Sequence, residues 1–568
     1  MIVKSNRINK PSRIAVLAGI PAVLILVVAA SFSSRIRAQG GEVDGVPVPN
    51  PILRSNELLA EAQPDDCFNG IGVDYPPMNP DGTCDVGQPK TNESYIWGMT
   101  EQSGKLYFGS MANAACIVSG QTSLAEDGIM GGGEINGPRN LVCEYGESQF
   151  AREHPLLPDG IGDWRAPSIY QYDLATDELK RMNIRDSLLK RTLGIRGAGS
   201  IDNIAFLAGS NVFTHSIDMF AFKADTGDYL GSCENSAYTY ARKWQVADGV
   251  LYVGVGSQTN GAVLRWNGTI DSFAGNFCDD FQEVGRIPTW TASMTVYTGG
   301  DGQDRIAVNT VPIKNSIGVG VYISPPLGPD GLDPSDADSW VNVWNPGMYE
   351  PDHIVRQFGY SGGAIQSFDG WVYWGTIHLP HSAPFKVHQN CAQNFCFGVP
   401  ANQQELDALE DGVFRTTSIW RGRNLEDSAT REIQLLYGES ELPACHSPHS
   451  FELTSTGWTP LYGHSGFDNP SNLYTWQMDE FDGHLFIGTF DAVYGPPQTG
   501  ADLWRFDNSN SPAVNENFRG LGDTNNYGIR AMVGLSDGSA LMLGMANPSN
   551  LDIGGGWELR RLKERPAP

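Results

Sequence analysis

Short apolar segments separated by glycine-containing turns recur along most of the chain, and the clearest example begins at Tyr474. The sequence YTWQMDEFDGHLFIGTFD starts there and is followed, after a short loop, by GADLWRFD from Gly500. Apolar residues flank the Asp-Gly pair on both sides, which is the usual signal for a tight β-hairpin. This segment therefore predicts an antiparallel sheet whose first two strands are joined by an Asp-Gly turn and whose third strand contains Trp-Arg.

The same order of strand, tight turn, strand, loop and strand recurs elsewhere in the chain. Clear copies lie at Tyr95–Ser110, Ala241–Trp266, Ser361–His378 and Tyr527–Leu559, and weaker copies start near Gly194 and Trp290. Each copy leaves room for a fourth strand. Seven four-stranded units are typical of a closed ring.

The F-D-G-x-L-Y-x-G-T and G-A-x-L-W-R patterns resemble those of β-propeller repeat proteins over roughly Glu93 to Leu562. The resemblance implies an all-β fold, a seven-bladed β-propeller with long loops on one face, and no particular activity. A β-sandwich or a β-solenoid is the alternative, although solenoids repeat at shorter and stricter periods. The last unit ends soon after Arg560, so we expect the strand that closes the ring to come from around Gly45–Arg54.

Composition agrees with a turn-rich β protein, because the chain has 66 glycines and 35 prolines and only 18% charged residues. At the N-terminus, basic residues precede the apolar run Ile14–Ala30, the layout of an export signal or a membrane anchor. We therefore expect a signal peptide or N-terminal anchor over 1–38, an extension that donates the closing strand over 39–92, and the propeller over 93–568.

The net charge is −27, and it becomes −33 without the first 38 residues, which carry six positive charges and no negative ones. Such a surface repels nucleic acids and anionic lipids. The expected partners are a small molecule, a glycan or a protein outside the cytoplasm, in a secreted or periplasmic setting. Contact with a membrane is expected only if the N-terminal segment stays uncleaved.

Nine cysteines fit an oxidising compartment, where disulfides persist. Proximity in sequence suggests the pairs Cys67 with Cys84, Cys116 with Cys143, Cys233 with Cys278, and Cys391 with Cys396 or Cys445, leaving one free thiol. Connectivity does not follow from sequence alone.

Since the first two strands of each unit are joined by a tight turn, the long insertions must lie on the opposite face of the ring. The longest are Met111–Ala166, Leu379–Thr417 and Asn424–Leu473. Long loops on a rigid scaffold often carry binding and catalysis. This face is therefore where we expect a functional site.

Histidines concentrate in the same loops of the fifth and sixth units. The candidates for catalysis are His378, His381, His446, His449 and His464, and His388 lies nearby. Imidazole ligates Zn or Cu and transfers protons near neutral pH. The metal candidates are His378, His381, His446 and His449; the alternative is that these histidines bond to backbone in the loops.

Arginines form the second candidate site. Arg196, Arg242 and Arg530 occupy equivalent places where an inner strand enters the ring, and Arg356 precedes another. Guanidinium groups around a channel mouth would bind a carboxylate, sulfate or phosphate. The alternative is that each arginine pairs with an acidic residue of the next blade.

A third feature is an acidic loop with Asp330, Asp333, Asp336 and Asp338, whose oxygens suit Ca²⁺ but lack the spacing of a calcium-binding loop. Two functional hypotheses result. One is an exported enzyme that uses the histidine-rich sector, with a transition metal, on an anionic substrate. The other is a non-catalytic propeller that recognises a protein or glycan.

Overall fold

The computed structural model describes residues 53–120, 140–311, 318–358, 360–378, 402–447, 450–491 and 499–564. Its strands, in chain order, are β1 (Leu53–Glu61), β2 (Asp66–Phe68), β3 (Gln88–Lys90), β4 (Glu93–Gln102), β5 (Lys105–Ala112), β6 (Ile169–Asp173), β7 (Glu178–Arg181), β8 (Thr192–Ile201), β9 (Ile204–Asn211), β10 (Ile217–Lys223), β11 (Tyr229–Asn235), β12 (Tyr240–Ala247), β13 (Val250–Gly256), β14 (Gly261–Trp266), β15 (Phe281–Ile287) and β16 (Trp290–Thr298). They continue with β17 (Asp304–Val311), β18 (Val321–Ile323), β19 (Val341–Trp344), β20 (Tyr360–Phe368), β21 (Trp371–His378), β22 (Ile419–Arg423), β23 (Glu432–Tyr437), β24 (Glu441–Ser447), β25 (Ser450–Ser455), β26 (Asn472–Phe481), β27 (His484–Asp491), β28 (Leu503–Phe506), β29 (Val514–Asn517), β30 (Gly528–Gly534), β31 (Leu541–Ala546) and β32 (Glu558–Glu564).

Helices are short and lie outside the sheets. The α-helices are α1 (Ala114–Gly120), α2 (Gln149–Glu153), α3 (His353–Phe358) and α4 (Gln403–Val413). The 3-10 segments are Tyr145–Glu147, Asp159–Ile161, Leu189–Arg191, Ile270–Ala274, Phe277–Asp280, Pro334–Asp336, Pro346–Met348, Ser465–Asp468 and Gly520–Gly522. None of the helices in the described part of the chain is long and apolar enough to span a membrane.

Among the described residues, antiparallel ladders group the strands into seven four-stranded blades. Blades 1 to 4 are β4–β7, β8–β11, β12–β15 and β16–β19; blades 5 and 6 are β20–β23 and β26–β29; blade 7 is β30, β31, β32 and β1. The innermost strands contact one another in the order β4, β8, β12, β16, β20, β26 and β30, and β30 returns to β4. The prediction of an all-β propeller is confirmed.

Close approach of the inner strands requires glycine. A Cβ atom on Gly98 of β4 would lie 2.7 Å from the backbone of Gly197 in β8, and one on Gly197 would lie 2.6 Å from the carbonyl oxygen of Arg242 in β12. Both distances are too short for a real side chain. These glycines therefore let three neighbouring inner strands pack backbone against backbone.

The turn between the first two strands of a blade is tight, as the sequence predicts. In blade 6, Asp482 and Gly483 have φ values of 49° and 71°, the left-handed pair that a two-residue hairpin turn of type I′ requires. Blades 1, 3 and 5 use the same left-handed pair, at Ser103-Gly104, Asp248-Gly249 and Asp369-Gly370. One face of the ring is thus formed by short turns; we call it the tight-turn face, and the other the long-loop face.

Both ends of the described chain build blade 7. Strand β1 pairs antiparallel with β32, from Leu53 opposite Glu564 to Glu61 opposite Glu558. The described closing strand β1 overlaps the expected segment Gly45–Arg54 at Leu53 and Arg54, and the rest of that segment lies outside the described residues. Leu59 and Ala60 pack against the apolar cluster between blades 7 and 1. These contacts give β1 the apolar face that a closing strand needs.

Apolar side chains fill the spaces between neighbouring blades. Between blades 2 and 3, for example, Phe206 stacks on Trp244 with ring centroids 5.6 Å apart and meets the edge of Trp266 at 5.1 Å. Similar buried clusters lie between the other neighbours. The aromatic residues of the sequence therefore join one blade to the next.

Three disulfides are present in the described residues, and each is a predicted pair: Cys67–Cys84, Cys116–Cys143 and Cys233–Cys278. Cys445 is also disulfide-bonded, whereas its suggested partner Cys391 lies outside the described residues, as does Cys396. Disulfides are consistent with an extracellular or periplasmic protein. The signal or anchor over 1–38 also lies outside the described residues and stays a prediction.

Candidate functional site

The central channel ends in aromatic side chains on the long-loop face. These residues lie at or near the starts of the inner strands and are at most 2% exposed: Tyr95, Tyr240, Trp290, Tyr474 and Tyr527. Their rings contact one another, with centroids 4.7 Å apart for Tyr240 and Trp290 and 5.7 Å apart for Tyr95 and Tyr527. Helix α1 and the loop after β5 pack on the same cluster. We call it the aromatic plug.

A cavity of about 240 Å³ lies in the channel below the plug. Six of the seven inner strands line it, from mid-strand residues such as Trp97 and Trp476 to residues near the tight turns. Exposure rises along this direction, and Val246 at the far end is 41% exposed. The cavity therefore leads toward the tight-turn face.

Arg196, Arg242 and Arg530 meet in this cavity. Strands β8, β12 and β30 carry them, and they are 5%, 8% and 1% exposed. Within the described part of the chain none of them pairs with a carboxylate, and Arg196 Nε and both Nε and Nη2 of Arg530 lack any hydrogen-bond partner. Buried arginine normally has an acidic partner, so this trio is an exception that needs an explanation.

Aromatic faces hold the guanidinium groups in place. The Arg196 guanidinium carbon lies 4.3 Å from the ring centroid of Tyr240 and 4.9 Å from that of Trp97. Arg530 lies 5.3 Å from the Trp476 ring, and Arg242 Nη1 donates a hydrogen bond to the Tyr240 hydroxyl at 3.3 Å. Cation–π contacts position these groups but leave their positive charges uncompensated.

The charges in this cluster perturb one another. Burial lowers the pKa of Arg196 to about 9, and Arg242 adds to this effect. Burial together with its two arginine neighbours lowers the pKa of Arg530 well below its usual value. Although burial alone raises the pKa of the Tyr240 phenol, Arg196 and Arg242 outweigh it and lower the pKa overall. The cavity is thus electropositive.

Three of the four predicted arginines come together, and they lie deeper than the expected channel mouth. Arg356 does not join them, because it lies on α3 in a long-loop connection and is exposed. Pairing with acids of the next blade, the alternative, is absent for the trio in the described ranges. Lys243 and Asp479 also line the cavity and were not predicted from the sequence. Their positions on inner strands of the repeat could have indicated that they lie near the channel.

The described histidines each have their own surroundings. His378 is fully buried, its Nε2 is 2.9 Å from Thr376 Oγ1, and its Nδ1 has no partner. Burial, with Arg415 adding to it, lowers the pKa of His378 well below its usual value, so its imidazole is neutral. His464 is exposed and lies 2.9 Å from Glu439, whose carboxylate raises the pKa of His464. His446 is exposed, 3.8 Å from Glu452.

His381, His388 and His449 lie outside the described residues, so a shared histidine site stays a prediction. In the acidic loop, Asp333 and Asp336 cap a 3-10 turn and Asp338 pairs with Arg286. No group of three or more His, Cys, Asp or Glu side chains suited to a metal occurs among the described residues. Zn, Cu and Ca²⁺ binding likewise remain predictions.

No protein-family model matches the chain, and no curated protein matches its sequence. Among solved structures it is similar to polysaccharide lyase Uly1, at 10% identity and a TM-score of 0.37, over 90% of this chain and 99% of that one. It is also similar to the β-propeller domain of the Trilobed protease from Pyrococcus furiosus, at 8% identity and a TM-score of 0.34, over 83% of this chain and 95% of that one. At these scores the similarity carries no argument about function.

Proposed function

We propose that this protein, acting outside the cytoplasm, binds a small anionic ligand in its central channel through Arg196, Arg242 and Arg530. The observation that carries the proposal is the burial of three guanidinium groups without a carboxylate partner in the described residues. A channel that served only to hold the ring together would pair these charges within the protein.

Energetics supports a ligand that supplies the missing charge. Burying an ion without a partner costs several kcal/mol even after relaxation. Hydrogen bonds between guanidinium and carboxylate, sulfate or phosphate oxygens are charge-assisted and about twice as strong as neutral ones. An anion in the cavity would therefore offset part of the cost of burying the three guanidinium groups.

Thermal unfolding with added anions tests the proposal. Phosphate, sulfate and citrate are compared with chloride at equal ionic strength, in the wild type and in Arg196→Gln, Arg242→Gln and Arg530→Gln variants. Anions bound by the native state raise the melting temperature, so we expect a saturable increase in the wild type that each substitution reduces.

The control variant is Arg305→Gln. Arg305 is 5% exposed, like Arg196, but its guanidinium pairs with Asp301 at 2.7 Å. Phosphate and sulfate also stabilise proteins by exclusion from their surface, and this background is common to all variants. A stabilisation that is equal in the Arg305 and channel variants would contradict anion binding in the channel.

A catalytic or metal-dependent role of the histidine-rich sector is the second candidate. It is favoured by the neutral imidazole of His378, whose Nδ1 is buried without a partner. Metal analysis of protein purified without a histidine tag tests it. Absence of stoichiometric Zn, Cu or Ca, with stability unchanged by a chelator, would remove the metal-dependent version.

A further inference from the structure

We infer that the ligand carries at least two negative charges on a terminal group and a hydroxyl-rich body, and that it enters through the tight-turn face with its anionic end first. This inference rests on the proposed function of the channel. It adds the ligand class and the route of entry, and both can fail while anion binding itself holds.

The charge requirement follows from the residues that line the cavity. Its positive groups are the arginine trio and Lys243, and the one acid among the described lining residues is Asp479. Burial raises the pKa of Asp479, whereas Lys243 and backbone hydrogen bonds from Gly534 and Glu480 oppose that effect and favour the carboxylate. When the charges of Lys243 and Asp479 offset each other, the three guanidinium charges remain. A ligand with a single carboxylate would leave two of these buried charges without compensation. A phosphate monoester or an equivalent dianion removes most of that cost.

Between the arginines and the tight turns, the lining mixes apolar side chains such as Met99 and Met532 with uncharged polar ones. Gln245 and Gln477 use their amide nitrogens to donate to backbone carbonyls at 3.0 and 2.9 Å. Their amide oxygens have no protein partner in the described residues and are free to accept. Thr100 and Ser200, which hydrogen-bond to each other at 2.9 Å, extend this wall. Acceptors and hydroxyls at the wall of a channel match the hydroxyl groups of a sugar or polyol.

The route of entry follows from where each side of the channel is closed. The aromatic plug, with all of its rings at most 2% exposed, occupies the long-loop end. Toward the tight-turn face the lining residues become partly exposed, ending at Val246. A ligand that arrives from this side passes Gln245, Gln477 and the hydroxyls of Thr100 and Ser200 before it reaches Arg530, so its anionic group must lead.

Calorimetric titration with defined probes tests the ligand class. Glucose 6-phosphate, ribose 5-phosphate and glycerol 3-phosphate are each compared with the parent alcohol, with inorganic phosphate, and with glucuronate as a monoanionic sugar. We expect at least one sugar phosphate to bind 10-fold or more tightly than both glucuronate and inorganic phosphate. The unphosphorylated alcohols should show no binding.

The outcomes separate the two proposals. If glucuronate and the phosphates bind with equal affinity, and the arginine variants lose this binding, the ligand does not need two negative charges. Anion binding in the channel would still stand. Equal binding of inorganic phosphate and every sugar phosphate would overturn the hydroxyl-rich body. Citrate stabilisation that depends on the arginines, without binding of any sugar phosphate, would also overturn this ligand class.

Substitutions at the entrance test the route. Ala198 and Val533 line the cavity near the tight turns, and Ala198→Trp or Val533→Trp should weaken binding of the tightest anion, or of citrate, at least 10-fold. Ala198→Leu and Val533→Leu narrow the same passage less and should give a graded loss. The control is Phe213→Trp, because Phe213 is 52% exposed on the long-loop face. Wild-type affinity in the folded entrance variants, or a loss in the control, would overturn entry from this side.

Discussion

Replacing Arg530 by methionine should stabilise the ligand-free protein and at the same time reduce its response to anions. Arg530 is 1% exposed, and two of its guanidinium nitrogens have no hydrogen-bond partner. Most substitutions of buried residues destabilise a protein. An increase in stability is therefore a specific signature of a charge that the protein buries without a partner of its own.

The expected gain follows from three contributions. Removing an uncompensated buried ion recovers on the order of 4 kcal/mol. The lost cation–π contacts, with Trp476 at 5.3 Å and Trp97 at 5.9 Å, lie near the distance limit and cost about 1 kcal/mol in total. The smaller volume of methionine costs about 1 kcal/mol more. We expect the free energy of unfolding to rise by about 2 kcal/mol.

Urea unfolding of wild type and variant, without added anions, measures this change. The control is Arg415→Met, because Arg415 pairs with Glu350 at 2.7 Å and both side chains are at most 3% exposed. Removing one partner of such a pair costs about 3–5 kcal/mol. The two substitutions should thus change stability in opposite directions. Destabilisation by Arg530→Met comparable to that by Arg415→Met would refute the reasoning.

Two further predictions concern the segment that precedes blade 1. Lys90→Met should lower the free energy of unfolding by about 3–5 kcal/mol, because it leaves the fully buried Glu144 without its lysine. The control is Lys105→Met, because Lys105 pairs with Asp173 and both side chains are partly exposed. In the same urea assay this control should cost less than about 1 kcal/mol. Desolvation of its carboxyl group, together with the neighbouring Asp66, raises the pKa of Asp65, so the folded state holds a proton that the unfolded state releases above about pH 4, and this residue's contribution to stability falls as the pH rises above that value. Asp65→Asn should remove that fall, and an unchanged pH profile would contradict it.

The sequence predicts the local parts of this fold because they depend on neighbouring residues. Asp482-Gly483 forms the expected left-handed turn, since few other residue pairs adopt two positive φ values. Cys233 and Cys278 pair as expected because close cysteines in an oxidising compartment usually do. The closing strand is harder to predict from the sequence, because β1 pairs with β32, which lies about 500 residues further along the chain. The register of this pairing depends on the sequences of both strands.

The arginine site was predictable only in part. Arg196, Arg242 and Arg530 occupy equivalent repeat positions, and a closed ring brings equivalent positions of its inner strands to one axis. Whether each finds a carboxylate depends on side chains of other blades, which the repeat pattern does not specify. Arg356 shows the limit of the approach, because it precedes its strand and lies on a helix in a connecting loop.

Loop length alone did not indicate where the channel opens. The longest insertion of blade 1 contributes Ile117, Leu157, Ile161 and Trp164 to the buried cluster that contains the aromatic plug. A loop that packs four buried apolar residues into the cluster at one end of the channel helps to close that end, whereas a binding loop needs polar groups that face solvent. Among the described residues, no residue of the tight turns belongs to this cluster, so the tight-turn face leaves access to the arginines. In a propeller of this kind, the apolar content of the long loops indicates the closed end of the channel, and the charged ligand is expected at the other.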